Sequence, residues 1–331
     1  MAKPMINPTR ISAFALSAIV AGCGAANLAA YSPTDQSRRL EEVDEAWQLI
    51  DRTYIDPTFN QQDWSAVRQD YMNRTYPSDQ ALHDALREMM GLLEDPGSQY
   101  FTPEEFSALQ PPGGELAEVE VTVAAAPIVQ YRVEVIDGTS VGYMQVSYLE
   151  SDTPSEIASA IATLDAQNVA IYVLDLRSNP GGLLNSAVEV VDLWLEDGLI
   201  ATLNSRSSVR EAQADSASLM TDKPLAVLVN GETGNGSELV AATLQDRQRA
   251  VVVGAPTYGS NLIRSIRPLP AHGSGMMLTT ARWYPPSGQD VSDVGVQPDI
   301  VVEEGATQQI GTAADPLLRA AVVALSSTQG E

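Results

Sequence analysis

Residues 169–182 read VAIYVLDLRSNPGG, a nearly continuous apolar run that ends in a polar turn with two glycines. Runs of this kind are typical of strands buried on both faces of a sheet. The run belongs to an alternating series of predicted helices and strands, with helices from 153, at 183–196 and at 237–246, and strands at 199–205, 224–230 and 250–254. This alternation predicts a mixed or parallel sheet with helices packed on it.

Both ends of the chain extend this core. Apolar residues repeat at three- and four-residue spacing within 38–110, which predicts a small helical unit. Its first stripe consists of Leu40, Val43, Trp47, Ile50 and Tyr54. Segment 115–149 has strand-like patterns, and 276–303 returns to strands before a helix at 315–326. The fold class is therefore α/β of the mixed α+β kind, with flanking strands.

The first residues resemble an export signal. Lys3 and Arg10 precede a short apolar stretch at 11–21, which ends in the lipobox-like sequence Val-Ala-Gly-Cys at Cys23. We expect 1–22 to be a lipoprotein signal peptide, Cys23 to be lipidated, and 23–37 to be a tether. The alternative is a plain signal peptide with a chance cysteine. A single cysteine excludes an internal disulfide, and we expect no metal site and no cofactor.

The chain is strongly acidic. Asp and Glu number 43 against 19 Lys and Arg, for a net charge of -24 over 331 residues. Such a surface repels phosphate backbones, so we expect no nucleic-acid partner. Lysine occurs only at Lys3 and Lys223. The mature chain would therefore keep a single lysine.

Two strand-to-helix turns are candidates for a functional site, because sites in open α/β sheets form beyond the carboxyl ends of strands. The first turn, 175–182, contains the glycine pair, whose backbone N–H groups could face an anion or an oxyanion. The second turn, 230–238, lies where a nucleophile is commonly displayed. Ordinary tight turns would explain both glycine patterns equally well.

These turns lie in a stretch, 141–303, that resembles the S41 C-terminal processing peptidases. The matching segments are VGYMQV, LDLRSNPGGLL, PLAVLVNGETGNGSELVAATLQDRQRAVVVGAPTYG, LTTARWYPPSGQ and GVQPDIVVE. The helical unit, with EAWQLIDRTYIDPTFNQQDW and LLEDP, is similar to that of the photosynthetic branch. The resemblance implies a ClpP/crotonase-like α/β core over 141–331, and a serine nucleophile with a lysine base.

The positions that carry catalysis in the family have changed here. Asn235 stands at the serine position, Ser260 at the lysine position and Arg264 at the glutamine position, while Glu238 and Gly259 match the family's landmarks. An amide is not a nucleophile, and a hydroxyl is not a general base near neutral pH. The backbone N–H groups of Gly181 and Gly236 fall at positions like the family's oxyanion hole.

The segment between the helical unit and the core is also short. The family carries a PDZ domain there, which grips polypeptide tails by strand addition. Only residues 111–140 fill this interval, so we expect a strand-rich insert of two or three strands in place of a PDZ domain.

Three hypotheses follow. The first is a non-proteolytic lipoprotein that faces the periplasm or thylakoid lumen and binds a polypeptide or protein partner, or pairs with an active relative. The second is an active hydrolase with Ser260 or Ser237 as nucleophile and His272 or Glu238 as base, although Ser237 also suits a helix N-cap. The third is a membrane-surface protein whose acidic face binds cations or basic partners.

Overall fold

The computed structural model describes residues 33–109, 127–303 and 310–328. Eight helices lie in these ranges: α1 Pro33–Thr53, α2 Trp64–Met72, α3 Asp79–Gly91, α4 Pro103–Ala108, α5 Thr153–Asp165, α6 Leu184–Asp192, α7 Gly236–Asp246 and α8 Pro316–Thr328. The strands in the same ranges are β1 Gln99–Phe101, β2 Val129–Ile136, β3 Thr139–Val146, β4 Ile171–Asp175, β5 Leu199–Ser205, β6 Val209–Gln213, β7 Leu225–Val229, β8 Ala250–Gly254, β9 Leu262–Leu269, β10 Ser274–Tyr284 and β11 Ile300–Val301.

The core is a six-stranded sheet in the order β11-β8-β7-β4-β3-β2. All neighbours are parallel except β2 and β3. Strand β4 is buried along its whole length, as its apolar run predicts. Tyr172 and Leu174 pack toward the helices α5, α6 and α7, whereas Ile171 and Val173 pack toward α8. Helices on both faces therefore make a two-sided core, which is why the sequence of β4 does not alternate.

A second, antiparallel sheet joins the core to the helical unit. Its order is β1-β10-β5-β6, and β9 pairs with the opposite edge of β10. Leu269, Met276 and Leu278 from this sheet are buried with α1, α2 and α3. Strand β10 therefore supplies the surface on which the helical unit packs.

Several boundaries differ from the expectations. Strand β2 pairs with β3, so residues 129–136 of the expected insert extend the core sheet. The predicted cap residue Thr153 is the first residue of α5, and Asp152 takes the N-cap position without a side-chain bond. Strands β1, β6 and β9 were not predicted. Residues 110–126, which include the predicted strand at 115–123, lie outside the described residues.

None of the helices within the described residues combines the length and the apolar composition that a membrane span requires.

Candidate functional site

Three loops meet at one edge of the core sheet. They follow the carboxyl ends of the neighbouring strands β4, β7 and β8 and span residues 176–183, 230–235 and 255–261. Because parallel strands all end at the same edge, the loops are brought together there. The two predicted turns are thus adjacent in space, and the loop after β8 brings the Ser260 position to them.

Asn235 occupies a strained turn at the start of α7. Its backbone has φ 44° and ψ -110°, and it is the N-cap residue of the helix. Positive φ is uncommon outside glycine, and this ψ lies outside the left-handed helical region that asparagine favours, so the turn is strained. The side-chain Nδ2 donates to the carbonyl of Leu262 at 2.8 Å. The amide is therefore used as a hydrogen-bond donor to the backbone of β9.

The carboxylate of Glu238 holds this turn and the Ser260 loop together. Glu238 is fully buried. Its Oε1 accepts from the Thr257 hydroxyl and from Gly259 N at 2.7 Å. Its Oε2 accepts from Asn235 N at 2.8 Å and from Ser260 N at 2.9 Å. Four donors on one carboxylate saturate it, so Glu238 acts as a structural clasp between the two loops.

Two of the three positions that the resemblance assigns to catalysis, Asn235 and Ser260, meet at this clasp. The backbone N–H groups of Asn235 and Ser260 donate to the same oxygen of Glu238. Ser260 is half-buried, as is Asn235. The structure therefore brings the backbones of Asn235 and Ser260 together at one carboxylate oxygen.

The third position, Arg264, contacts the helical unit. It is exposed on β9, and its guanidinium lies against Gly97 of the helical unit. A β-carbon added to Gly97 would come within 2.0 Å of Arg264 Nε. We therefore assign Arg264 to the surface around the site rather than to the Asn235–Ser260 pair.

The two glycines of the expected anion-binding site are neighbours. A β-carbon on Gly181 would lie 2.8 Å from Gly236 N and 3.1 Å from Asn235 Cβ, so only glycine fits there. Gly181 also has φ +102°. Its N–H, however, donates to Asn179 Oδ1 at 3.0 Å, and the Asn179 amide donates to Val146 O at 2.9 Å. An internal acceptor thus already satisfies the Gly181 donor.

The structure moves Ser237 away from its expected cap role. Helix α7 begins at Gly236 with Asn235 as its N-cap, so Ser237 lies inside the first turn. The residue is fully buried, and its hydroxyl has no hydrogen-bond partner among the described residues. A buried hydroxyl without a base does not have the surroundings of an activated nucleophile.

Two of the groups that could serve as a base, His272 and Lys223, lie elsewhere. His272 follows the far end of β9, and an eight-residue strand spans about 26 Å. Its imidazole lies 3.5 Å from Glu42 and 3.6 Å from Glu45, both on α1. Lys223 precedes β7 at the amino end of the sheet, as predicted, and pairs with Asp165 at 2.6 Å.

A buried charge cluster supports the turn after β4. Arg177 donates to Asp175 at 2.5 Å and to Asp315 at 2.7 Å, and Tyr143 donates to Asp175 at 2.6 Å. Burial alone would raise the pKa of Asp315, but bonds from Arg177 and from the Gly311 amide lower it below its ordinary value. The cluster fixes the entry to the 176–183 loop against α8.

Sequence reasoning missed a polar cluster beside the site. Asn261 is fully buried and bonds to Asp290 at 3.2 Å, while Arg282 and Ser292 donate to its Oδ1 at 3.1 and 2.9 Å. Bonds from Ser292 lower the pKa of Asp290. The cluster joins the loop at 290–292 to the start of β9. These partners lie up to 31 residues apart, so no local pattern indicates them.

The site as built has few groups for chemistry. It combines an amide and a hydroxyl with a saturated carboxylate, and the N–H groups of Gly181, Asn235 and Ser260 already have internal acceptors. No group of three or more His, Cys, Asp or Glu within the described ranges could hold a metal ion. Cys23, the expected lipidation site, lies outside the described residues.

Comparison with known proteins agrees with this architecture. Residues 140–302 match peptidase family S41. A carboxyl-terminal-processing protease of Synechocystis sp. is 28% identical over 342 aligned residues, which cover 78% of this chain and 80% of that protein. A carboxy-terminal-processing protease of Bartonella bacilliformis is 35% identical over 233 residues, which cover 69% of this chain and 51% of that protein.

The fold has a counterpart among solved structures. The photosystem II D1 C-terminal processing protease superposes with a TM-score of 0.70 at 24% identity, over 80% of this chain and 93% of that one. At this identity the likeness shows the fold alone. Together with the sequence match over 140–302, it places the turns at 176–183 and 230–235 in a known framework. Residues 140–302, about half of the chain, therefore make up a peptidase family S41 domain.

Proposed function

We propose that this chain is a non-proteolytic S41-family protein that binds polypeptides at the Asn235–Ser260 site. The observation that carries the proposal is the use of the Asn235 amide. It donates to Leu262 O from the position that the family resemblance assigns to the nucleophile. Ser260 stands where the resemblance places the base, and the mature chain's lysine, Lys223, is paired with Asp165 at the opposite end of the sheet.

The surface around the site supports polypeptide binding. Tyr258 and Val294 are 69% and 56% exposed, and both lie in loops that meet at Gly259. The backbone of Tyr258 is anchored, because its N–H donates to Thr233 O at 2.9 Å. Tyr258 and Val294 therefore present apolar surface to a partner beside the Ser260 loop.

Two further parts of the proposal concern recruitment. We infer that the chain acts at a membrane surface through a lipid on Cys23, facing the periplasm or thylakoid lumen, and that it works without a PDZ domain. The names of its relatives include bacterial and chloroplastic processing proteases, which supports an exported location. Replacing Cys23→Ala should abolish incorporation of labelled palmitate and release the protein from membranes; retention of both would contradict the anchor.

The catalytic part is tested with purified mature protein. We expect no turnover of unstructured fluorogenic peptides and no labelling by a fluorophosphonate probe. Measurable binding of the same peptides is expected by fluorescence anisotropy. Hydrolysis that copurifies at constant specific activity and disappears in Ser260→Ala or Ser237→Ala would overturn the proposal in favour of a rearranged hydrolase.

A gain-of-function variant tests the assignment of positions. The double substitution Asn235→Ser with Ser260→Lys restores the residue types of the family dyad on loops that Glu238 already clasps. We expect probe labelling at position 235 in the double variant and none in Asn235→Ser alone, because a serine without a base is a poor nucleophile. Equal labelling of both variants would contradict the assignment.

A further inference from the structure

Strand β9 has an outer edge that faces away from β10. Within the described ranges, β9 pairs with β10 and with no other strand. An unpaired edge presents backbone donors and acceptors in a row and can accept an added strand. The edge starts beside the candidate site, because Asn235 bonds to Leu262, the first residue of β9.

The hydrogen bonds fix which backbone groups point outward. Asn261 O accepts from Trp283 N at 3.0 Å, so Asn261 faces β10. Leu262 O accepts from Asn235 and therefore faces outward. In an antiparallel pair this orientation alternates from residue to residue, so even-numbered residues of β9 face outward.

The hydrogen bonds of β10 support the same assignment of outward-facing residues in β9. Thr279 is the partner of Arg264. Its N–H donates to Ser98 Oγ at 3.1 Å and its carbonyl accepts from Ile55 N at 3.0 Å, both on the side away from β9. Thr279 and Arg264 therefore do not hydrogen-bond to each other, and the N–H and C=O groups of Arg264 point outward from β9. Pro268 falls in the same phase, where its missing N–H leaves the ladder with β10 intact.

The outer edge carries positive charge in an acidic protein. Arg264 and Arg267 are both exposed, and neither forms an ion pair with a described residue. They are three residues apart, so their side chains lie on opposite faces of the sheet. Most other arginines of the described residues are paired with Asp or Glu, for example Arg74 with Asp70.

We propose that the outer edge of β9 binds an extended acidic peptide segment as an added strand. Backbone groups of Arg264 and Ile266 hold the segment. Arg264 and Arg267 pair with two carboxylate side chains spaced three residues apart, one on each face. The inference rests on the proposed function, since it specifies the polypeptide class that the site takes. It also explains the arginine at position 264, which lies on this edge rather than beside Asn235.

The probes are labelled ten-residue peptides of strand-forming sequence that contain Glu-x-x-Glu, Gln-x-x-Gln or Lys-x-x-Lys. We expect the Glu peptide to bind the mature protein most tightly and to weaken as salt rises. The double substitution Arg264→Gln with Arg267→Gln should weaken binding of the Glu peptide about five- to tenfold, as expected for the loss of two exposed ion pairs. Its affinity for the Gln peptide should change by less than about twofold. Arg210→Gln is the matched control, because Arg210 is also exposed and lies on β6, an edge of the same sheet.

Strand addition has its own signature. N-methylation of alternate peptide residues should abolish binding in one phase and preserve it in the other, because only every second N–H bonds to β9. Binding that is independent of charge, of both arginines and of methylation phase would overturn this inference and leave the proposed function standing. If none of the peptides binds, the proposed function fails with it.

Discussion

Replacing Glu238→Gln should loosen the site without changing its volume. The carboxylate accepts four hydrogen bonds from Thr257, Gly259, Asn235 and Ser260. A glutamine keeps one acceptor oxygen, but its NH₂ group must face two of the four donors. Two hydrogen bonds to a charged acceptor are therefore lost, and in their place an NH₂ group faces two other donors.

The magnitude follows from these contacts. A hydrogen bond to a charged group contributes roughly 1.5–3 kcal/mol. Because Gly259 and Ser260 are only half-buried, water can satisfy part of the loss. We therefore expect a decrease of about 3 kcal/mol in the free energy of unfolding, which corresponds to a fall in Tm of roughly 4–5 °C for a chain of this size.

The assay combines thermal unfolding with hydrogen exchange. Amides of 257–262 should exchange faster in Glu238→Gln, since the clasp holds this loop. The matched control is Glu232→Gln, which removes the same charge from an exposed position in the same loop as Asn235. Equal Tm values for the two variants, with unchanged exchange at 257–262, would refute the role of Glu238 as the clasp.

Three further predictions concern other parts of the molecule. The folded-state pKa of Asp315 is lowered, so its contribution to the free energy of unfolding is present above the unfolded pKa of about 3.9 and is lost as pH falls further. Asp315→Asn should therefore lower the free energy of unfolding by about 2 kcal/mol at pH 7. In urea titrations, the difference from wild type should shrink below about pH 4. Gly182→Ala should lower the free energy of unfolding in urea by about 3 kcal/mol or more, because a β-carbon at φ +148° would lie 2.0 Å from the Leu149 carbonyl oxygen. The control Gly138→Ala should lower it by about 1 kcal/mol, because the added β-carbon at φ +85° meets open space. Tyr100→Phe should cost about 1–2 kcal/mol in the same assay, because it removes a buried 2.8 Å bond to a carboxylate of α1, and a loss below about 0.5 kcal/mol would contradict that role.

The central strands were predictable because their signal is local. Strands β5 and β8 begin and end at the predicted residues, and the buried run of β4 needed only its apolar composition. Strand β9 gave no such signal. Arg264 and Arg267 interrupt its apolar residues, and Pro268 argues against a central strand. Its existence depends on pairing with β10, which is a tertiary contact.

The candidate site was predictable as a set of positions but not as a set of contacts. Turn chemistry located Gly181 and Asn235 after their strands. The bond from Asn235 to Leu262 joins residues 27 apart, and the bond from Thr257 to Glu238 joins residues 19 apart. Such partners depend on how neighbouring loops meet at the sheet edge. For the same reason, the burial of Ser237 and the distant position of His272 emerged only from the fold.

The residues that fix the backbone of the site differ from those whose side chains would determine its chemistry. Glu238 and Gly181 fix the backbone of the turn. Asn235 is held in that turn by its bonds to Glu238 and to the Leu262 carbonyl. Under the proposed function, the backbone of the site is kept while the residues at positions 235 and 260 differ from those that the family resemblance implies. Restoring a serine and a lysine at 235 and 260 should leave the clasp intact, so the reactivity of that variant reports on the two side chains rather than on a rebuilt loop.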